Sequence, residues 1–404
     1  MPFIILGRRE LGLLLLLFLT EFARGAFFFT FLPFWVVNYL GFSITVVGFA
    51  VSAQYLLETL LKTFAGWQFD RLGRPVLAGG MALSLLSLLL IKWWPVPPVI
   101  ITAAGLFGLG FSPLWLSVIS LVAPVGAPRR ATRISMVFAV WLAGAGGGMV
   151  SVNFILAKNY APVFWLVLII WVLGLIIAWL STGRPRPAAA ATGKRIAAGP
   201  GSGSGRGILE TLKFMADNKI TTRLLLPGMF LQTLAAGLLL PVLPLFVQHH
   251  LHFNHNQYGL LLITGGAAAV LALLPMGYLA DRLALKFLLG AGFGISGLLL
   301  AYLAAGGGTA RAFLLAACLG FAYAMILPAW NSLLAKIIPA ENQALGWGVF
   351  ATIEGLGISI GPALGGAVAR LIGMPATLFT TTGVLLIASF FYLLYPLEKV
   401  LARE

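Results

Sequence analysis

A chain of 404 residues that is 60% hydrophobic and only 9% charged, with mean hydropathy +1.00, carries too few charges to cover a water-soluble globule, so lipid is the solvent for most of its surface. The formal net charge of +15 would suit nucleic acid, but the basic residues fall on alternate loops between apolar runs, which makes them a topology signal and argues against that partner. With Cys318 as the single cysteine, an intrachain disulfide framework is excluded.

The apolar runs are continuous rather than alternating, and about 20 residues suit a hydrocarbon core of about 30 Å, so they predict helices and not barrel strands. In chain order the spans are 11–38, 43–67, 75–94, 99–122, 134–157, 160–181, 222–248, 257–280, 285–305, 311–337, 343–371 and 374–397. Arg8 and Arg9 before Leu11 to Leu19 imitate a secretion signal. The run continues through Glu21 and Arg24 to Trp35 without a cleavage site, so the first span is read as retained.

Of the 26 Lys and Arg, all but Lys92, Lys158, Arg311, Arg370 and the in-span Arg24 and Lys62 fall at the N-terminus, in or within two residues of even-numbered loops, or at the C-terminus. The positive-inside rule therefore predicts a multi-pass protein of the inner or plasma membrane with both termini cytoplasmic.

The chain repeats itself. Gly66-Trp-Gln-Phe-Asp70-Arg71-Leu-Gly73-Arg74-Pro75, between spans two and three, returns as Gly277-Tyr-Leu-Ala-Asp281-Arg282-Leu-Ala-Leu-Lys286 between spans eight and nine. Pro113, Trp115, Ser117 and Pro124 are matched by Pro328, Trp330, Ser332 and Pro339, Val137-Phe138-Ala139 by Val349-Phe350-Ala351, and Leu32-Pro33 by Leu243-Pro244, at offsets of 211 to 215. Such self-similarity predicts two related halves. Residues 182–219, rich in Gly, Pro, Ala, Ser and Arg, read as a flexible cytoplasmic linker between a six-helix bundle over 1–181 and a second over 220–404.

On these residues the chain resembles the major facilitator superfamily over essentially its whole length. Gly66, Asp70, Arg71, Gly73 and Arg74 match that family's hinge motif; Pro75 departs from it, and Ala284 replaces the glycine in the second copy around Asp281 and Arg282. The resemblance implies an all-α membrane protein of twelve transmembrane helices in two pseudo-symmetric bundles, rocking about a central site with the hinge charges as a cytoplasmic latch.

Ionisable residues inside the membrane are costly and require a partner or a task. Glu21, Arg24, Glu58, Lys62 and Glu354 are the candidates, four of them on the first two spans. Glu21 and Arg24 share a face, about 15 Å from the cytoplasmic boundary, and Glu58 reaches roughly the same depth on a helix of opposite direction. The three can form one cluster, while Lys62, one turn nearer the cytoplasm, is expected to snorkel to the headgroups rather than pair with Glu58. The repeat offset places Gln232, Ala235, Ala269 and Leu273 opposite these four. This asymmetry predicts a cavity with a polar, ionisable N-terminal wall and an apolar C-terminal wall including Leu234, Leu238, Leu262 and Met276, suited to an amphiphile. The competing reading is a Glu-Arg-Glu clamp that only packs the first two helices.

Trp115 and Trp141, on spans four and five, can stack on a sugar or cover a lipid and still donate an N–H. Trp330 opposite Trp115 leaves site and scaffold equally open there, whereas Ile353 opposite Trp141 favours a site; Trp93, Trp94, Trp165 and Trp179 read as interfacial belt residues. Together with Glu21, Arg24 and Glu58, these tryptophans resemble the flippases that move the glycolipid anchor of lipoteichoic acid, with Glu58 where aspartate is expected. That resemblance implies a sugar headgroup held in the polar half by Arg24, Trp115 and Trp141, acyl chains in the apolar half, and protons exchanged at Glu21 and Glu58. Gln232 is the candidate substrate contact from the second half. A multidrug or sugar efflux proton antiporter is the alternative.

His249, His250, His252 and His255 crowd one outward loop, where metal binding or pH sensing competes with the plainer reading of a solvated loop. Gly357, Gly361, Pro362, Gly365 and Gly366 predict close helix contact and a kink in span eleven; whether nearby Glu354 faces a cavity or a packing seam stays open. No nucleotide loop, zinc spacing or nucleophile elbow is visible, so the expectation is a monomeric transporter and not an enzyme, without cofactor or metal, whose partners are membrane lipids, protons and an amphiphilic or small-molecule substrate.

Overall fold

In the computed structural model the described residues are 7–124, 130–181, 226–337 and 343–395, and the side chains of Asp70 and Asp281 fall outside the description. The expected linker 182–219 also lies outside it. Every regular element described is helical: α1 Arg8–Tyr39, α2 Ile44–Leu72, α3 Arg74–Trp93, α4 Pro97–Val122, α5 Arg130–Leu156, α6 Ala161–Ser181, α7 in two segments Leu226–Leu239 and Leu243–His249, α8 His255–Arg282, α9 Leu285–Ala304, α10 Thr309–Ile337, α11 Gln343–Leu371 and α12 Met374–Leu394. Among the described residues, eleven helices are long and apolar enough to cross a bilayer, or twelve when the two segments of α7, bent by 41°, count as one span. Pro244 opens the second segment of α7 and supplies no N–H to the turn before it, which accounts for the break at that point.

Proline shapes α1 differently. Pro33 removes an N–H from the helix, and the turns around it widen to an i→i+5 pattern over Gly25–Phe31 and again over Trp35–Tyr39, with Leu32 N–H bonding the Phe27 carbonyl. The widening begins directly after Arg24.

The chain clusters into two compact units. The first contains α1 to α6 together with Leu240–Leu260 and Pro362–Arg370. Close backbone approach orders its helices: a methyl group at Gly148 on α5 would overlap the Phe22 carbonyl of α1, and one at Gly108 on α4 would overlap the Gln54 carbonyl of α2. Only glycine permits these contacts, and they bring α1 to α5 and α2 to α4 at the depth of the buried charges. In the same unit Asn38 donates to Gln248 Oε1 at 2.6 Å and meets His249 Nε2 at 3.0 Å, while the Ala363 N–H donates to Ser52 Oγ at 2.8 Å.

The second unit, drawn from Leu261–Gly361, Leu371–Glu404 and the chain up to Leu239, has its own apolar core. Trp330 and Tyr392 stand edge to face at 6.2 Å, and Phe293 stacks on Tyr392 at 5.7 Å. Gly357 and Gly361 of α11 face Thr233 and Gly237 of α7 without room for a side chain, as the glycine pattern predicts.

Candidate functional site

The first unit gathers its intramembrane charges into one buried group. Arg24 Nε and Nη2 donate to Glu21 Oε2 at 3.0 and 2.9 Å, and Arg24 Nη1 donates to Glu58 Oε2 at 3.1 Å. Local geometry explains the first pair, since residues three apart on a helix share a face. The second pair needs two helices at the same depth. Glu21, Arg24 and Glu58 are 1%, 5% and 6% exposed, so the arginine is the internal counter-ion that makes two carboxylates tolerable in hydrocarbon.

Lys62 departs from expectation. Its Nζ lies 3.6 Å from Glu58 Oε1, one helical turn away, instead of snorkelling to the headgroups. The Glu58 carboxyl group already lies at that depth, and the flexible lysine stem spans one turn, so pairing wins over solvation. Two acids and two bases then leave the group with no net formal charge when all four are ionised.

Four residues absent from the sequence-based set complete the surroundings. The guanidinium of Arg24 sits over the ring of Phe111 at 4.7 Å, with Tyr55 at 5.7 Å and Phe29 at 5.9 Å. Aromatic faces stabilise a desolvated cation by about 2 kcal/mol. Gln54, fully buried, donates through Nε2 to Glu58 Oε2 at 2.8 Å. Its spacing of four residues from Glu58 on one helix was the available signal; an isolated polar residue in an apolar span draws less notice than a charge.

Trp115 and Trp141 come together at 6.1 Å between ring centroids, edge to face, with Phe138 at 5.1 Å from Trp115. Both are half-buried, whereas Trp330 is 2% exposed in the core of the second unit. The repeat partners therefore have different surroundings. Gln232 on α7 is half-buried in the second unit, and its Oε1 has no hydrogen-bond partner among the described residues. Of the expected apolar wall, Leu234 and Leu262 are half-buried, Leu238 is buried, and Met276 is packed with Ala272 and Ala324. Glu354 is half-buried on α11.

At the hinge, Gly73 adopts φ +65°, ψ −127°, a conformation open to glycine and strained for other residues. Ala284 in the second copy adopts φ −62°, ψ 122°, so its side chain is compatible with a turn of different shape. Arg71 rests over Trp67 at 4.0 Å, Arg74 over Trp179 at 3.5 Å and Arg282 over Tyr278 at 4.1 Å. Gly66 faces Leu116 of α4.

In the histidine loop His249, His250 and His252 are exposed, in keeping with a solvated loop, and His255 is half-buried. His249 bonds Asn38, His250 stacks on Phe246 at 5.1 Å, and half-buried His255 stands edge to face with Phe34 at 4.6 Å. Among the described residues no three His, Cys, Asp or Glu side chains are grouped to hold a metal ion.

Comparison with known proteins agrees with this architecture. The proton-coupled antiporter flippase LtaA of Staphylococcus aureus strain MSSA476 is 27% identical over 391 residues, 94% of this chain and 93% of that protein, and the same protein of strain NCTC 8325 / PS 47 matches to the same extent. Among solved structures, the nucleoside transporter NupG superposes with a TM-score of 0.76 at 14% identity, covering 96% of this chain and 98% of that one. The human organic anion transporter MFSD10 superposes with a TM-score of 0.63 at 17% identity, covering 95% and 99%. At these identities the two structures establish the fold alone. The sequence model of the Major Facilitator Superfamily matches residues 13–226 and 225–403, and with that match across both halves the chain belongs to the Major Facilitator Superfamily, a multi-pass membrane transporter.

Proposed function

We propose that this transporter is proton-coupled and exports or flips an amphiphilic lipid, a glycolipid in the first instance. The observation that carries the reading is the buried Glu21-Arg24-Glu58 group in the first unit, set against Gln232, Ala235, Ala269 and Leu273 at the repeat-related positions. A device needed only to hold helices together has little reason to be lost from one half. The similarity to a protein named as a proton-coupled antiporter flippase supports the same reading.

The chemistry follows from what a carboxylate accepts. An ionised Glu58 or Glu21 takes hydrogen bonds from sugar hydroxyls, and a proton on the same oxygen removes that acceptor. Proton and headgroup then compete for one place, which is the requirement for exchange. Arg24 holds whichever carboxylate is ionised or a headgroup oxygen; Trp115 and Trp141 offer indole faces to the sugar, and Gln232 contributes a polar contact from the second half. Leu234 and Leu262 are the foremost candidates for acyl-chain contact. The proposal includes a monomer in the inner or plasma membrane with both termini cytoplasmic, divided at a linker over 182–219, and with Gly66, Asp70, Arg71, Gly73, Arg74, Asp281 and Arg282 as hinge residues.

The test is movement of a labelled glycosyl diacylglycerol in proteoliposomes under an imposed proton gradient. Wild type moves it in a gradient-dependent way, and Arg24→Ala and Glu58→Gln lose that movement while remaining folded. Gradient-driven movement retained in both variants defeats the mechanism. Efflux of cationic dyes without lipid movement would assign the chain to drug export instead.

A further inference from the structure

Gln54 carries more polar capacity than its surroundings use. Its side chain is 0% exposed, Nε2 donates to Glu58 Oε2 at 2.8 Å, and Oε1 has no partner among the described residues. A buried carbonyl without a donor is uncommon and costly, and in a native structure it asks for an explanation. The α2 backbone cannot easily shift to relieve it, because the Gln54 carbonyl lies against Gly108 of α4 with no room to spare.

The explanation lies in what Glu58 must do if the proposed function holds, a reading on which this inference rests. As a carboxylate Glu58 is acceptor-only; as a carboxylic acid it carries an O–H that needs an acceptor. The cationic groups around it, Arg24 from α1 and Lys62 from its own helix, are donors in all circumstances. Glu21 is itself taken up by Arg24, Tyr55 turns its ring toward that guanidinium at 5.7 Å, and α4 presents the uncharged ring of Phe111. Rotating the Gln54 amide by half a turn exchanges Nε2 for Oε1, which brings the unused acceptor to the place where the donor now stands.

We propose that Gln54 is the positioning residue for proton exchange at Glu58, its amide reversing with the protonation state of the carboxyl group. In the ionised state Nε2–H donates to Oε2. When a proton from water binds Oε2, an O–H bond forms, the Arg24 contact to Glu58 is released, and the amide turns so that Oε1 accepts the new O–H. Loss of the proton to water reverses each movement. Glu58 thereby keeps a hydrogen-bond partner in both states, and neither state leaves its charge or its proton stranded in the membrane interior.

Two measurements test this. Gradient-driven movement of the labelled glycosyl diacylglycerol is recorded against pH for wild type and Gln54→Met, which matches the side chain in length and lacks both polar atoms. The expected result is a displacement of the half-maximal pH by about one unit, the scale of one buried hydrogen bond, in a variant that stays monodisperse and helical. A uniform fall in rate with an unmoved midpoint identifies a packing role and overturns the proposal. Infrared difference spectra of wild type labelled with carbon-13 glutamine, taken across a pH titration, need neither transport nor the Met variant. A glutamine carbonyl band should move together with the appearance of a protonated carboxyl band and stay still in Glu58→Gln; a band that does not move, or moves equally in Glu58→Gln, overturns the proposal even if proton-driven lipid movement is established. If wild type shows no gradient-driven movement but the glutamine band follows the carboxyl band, the transport reading fails and the Gln54 pairing stands.

Discussion

Arg24 on α1 reaches Glu58 on α2 through a 3.1 Å contact between Nη1 and Oε2, and it does so while both Nε and Nη2 remain on Glu21. One guanidinium thus ties two helices by its planar fork, a geometry that lysine does not reproduce.

Removing the arginine should therefore be worse than removing the whole group. Arg24→Ala leaves buried Glu21 with no counter-ion and Glu58 with Lys62 alone, and is expected to lower stability by about 3–5 kcal/mol. A combined Glu21→Gln, Arg24→Gln, Glu58→Gln and Lys62→Gln variant should recover much of that loss, because it strands no charge, yet remain inactive. Thermal unfolding in detergent together with gradient-driven lipid movement separates the outcomes. Recovery of both stability and transport would show that the group is only a clamp.

The tryptophans divide by surroundings. Trp330→Ala opens a cavity beside Tyr392 and Phe293 and should cost about 3–5 kcal/mol. Trp115→Ala and Trp141→Ala, at half-buried positions, should cost about 1 kcal/mol in stability while weakening glycolipid binding about tenfold. Unfolding midpoints and binding to a labelled glycosyl diacylglycerol measure the two effects.

Backbone conformation makes the two hinge copies unequal. Gly73→Ala must place a side chain at φ +65°, ψ −127° and is expected to cost about 1–3 kcal/mol. Ala284→Gly at φ −62°, ψ 122° should cost about 1 kcal/mol or less, through added freedom of the unfolded chain. Equal losses in the two variants, read from thermal unfolding, would contradict the difference in turn geometry.

Close packing of α1 on α5 gives a fourth expectation. Gly148→Val directs a branched side chain at the Phe22 carbonyl, one turn from the buried ion pairs. Overpacking of this kind costs about 1–3 kcal/mol, and displacement of α1 should also reduce transport. Gly146→Ala, with open space around the added carbon, should do neither.

Much of this molecule is legible without coordinates because lipid enforces simple rules. Backbone polar groups have no outside partner in hydrocarbon, so long apolar runs must be helices, and an internal repeat shows that the chain was built twice. The depth of Glu21, Arg24 and Glu58 follows from helical rise alone. What periodicity does not convey is which side chain meets which across helices. Lys62 pairs with Glu58 because that carboxylate lies within reach at 3.6 Å. Gln54, Tyr55 and Phe111 join the site because glycine contacts bring α2 against α4, and Ala284 is accommodated because its turn never takes up the glycine conformation of Gly73. Solvent sets the element and the depth of each residue, and these are properties of one segment at a time; partnership depends on distances between segments, which only their packing decides.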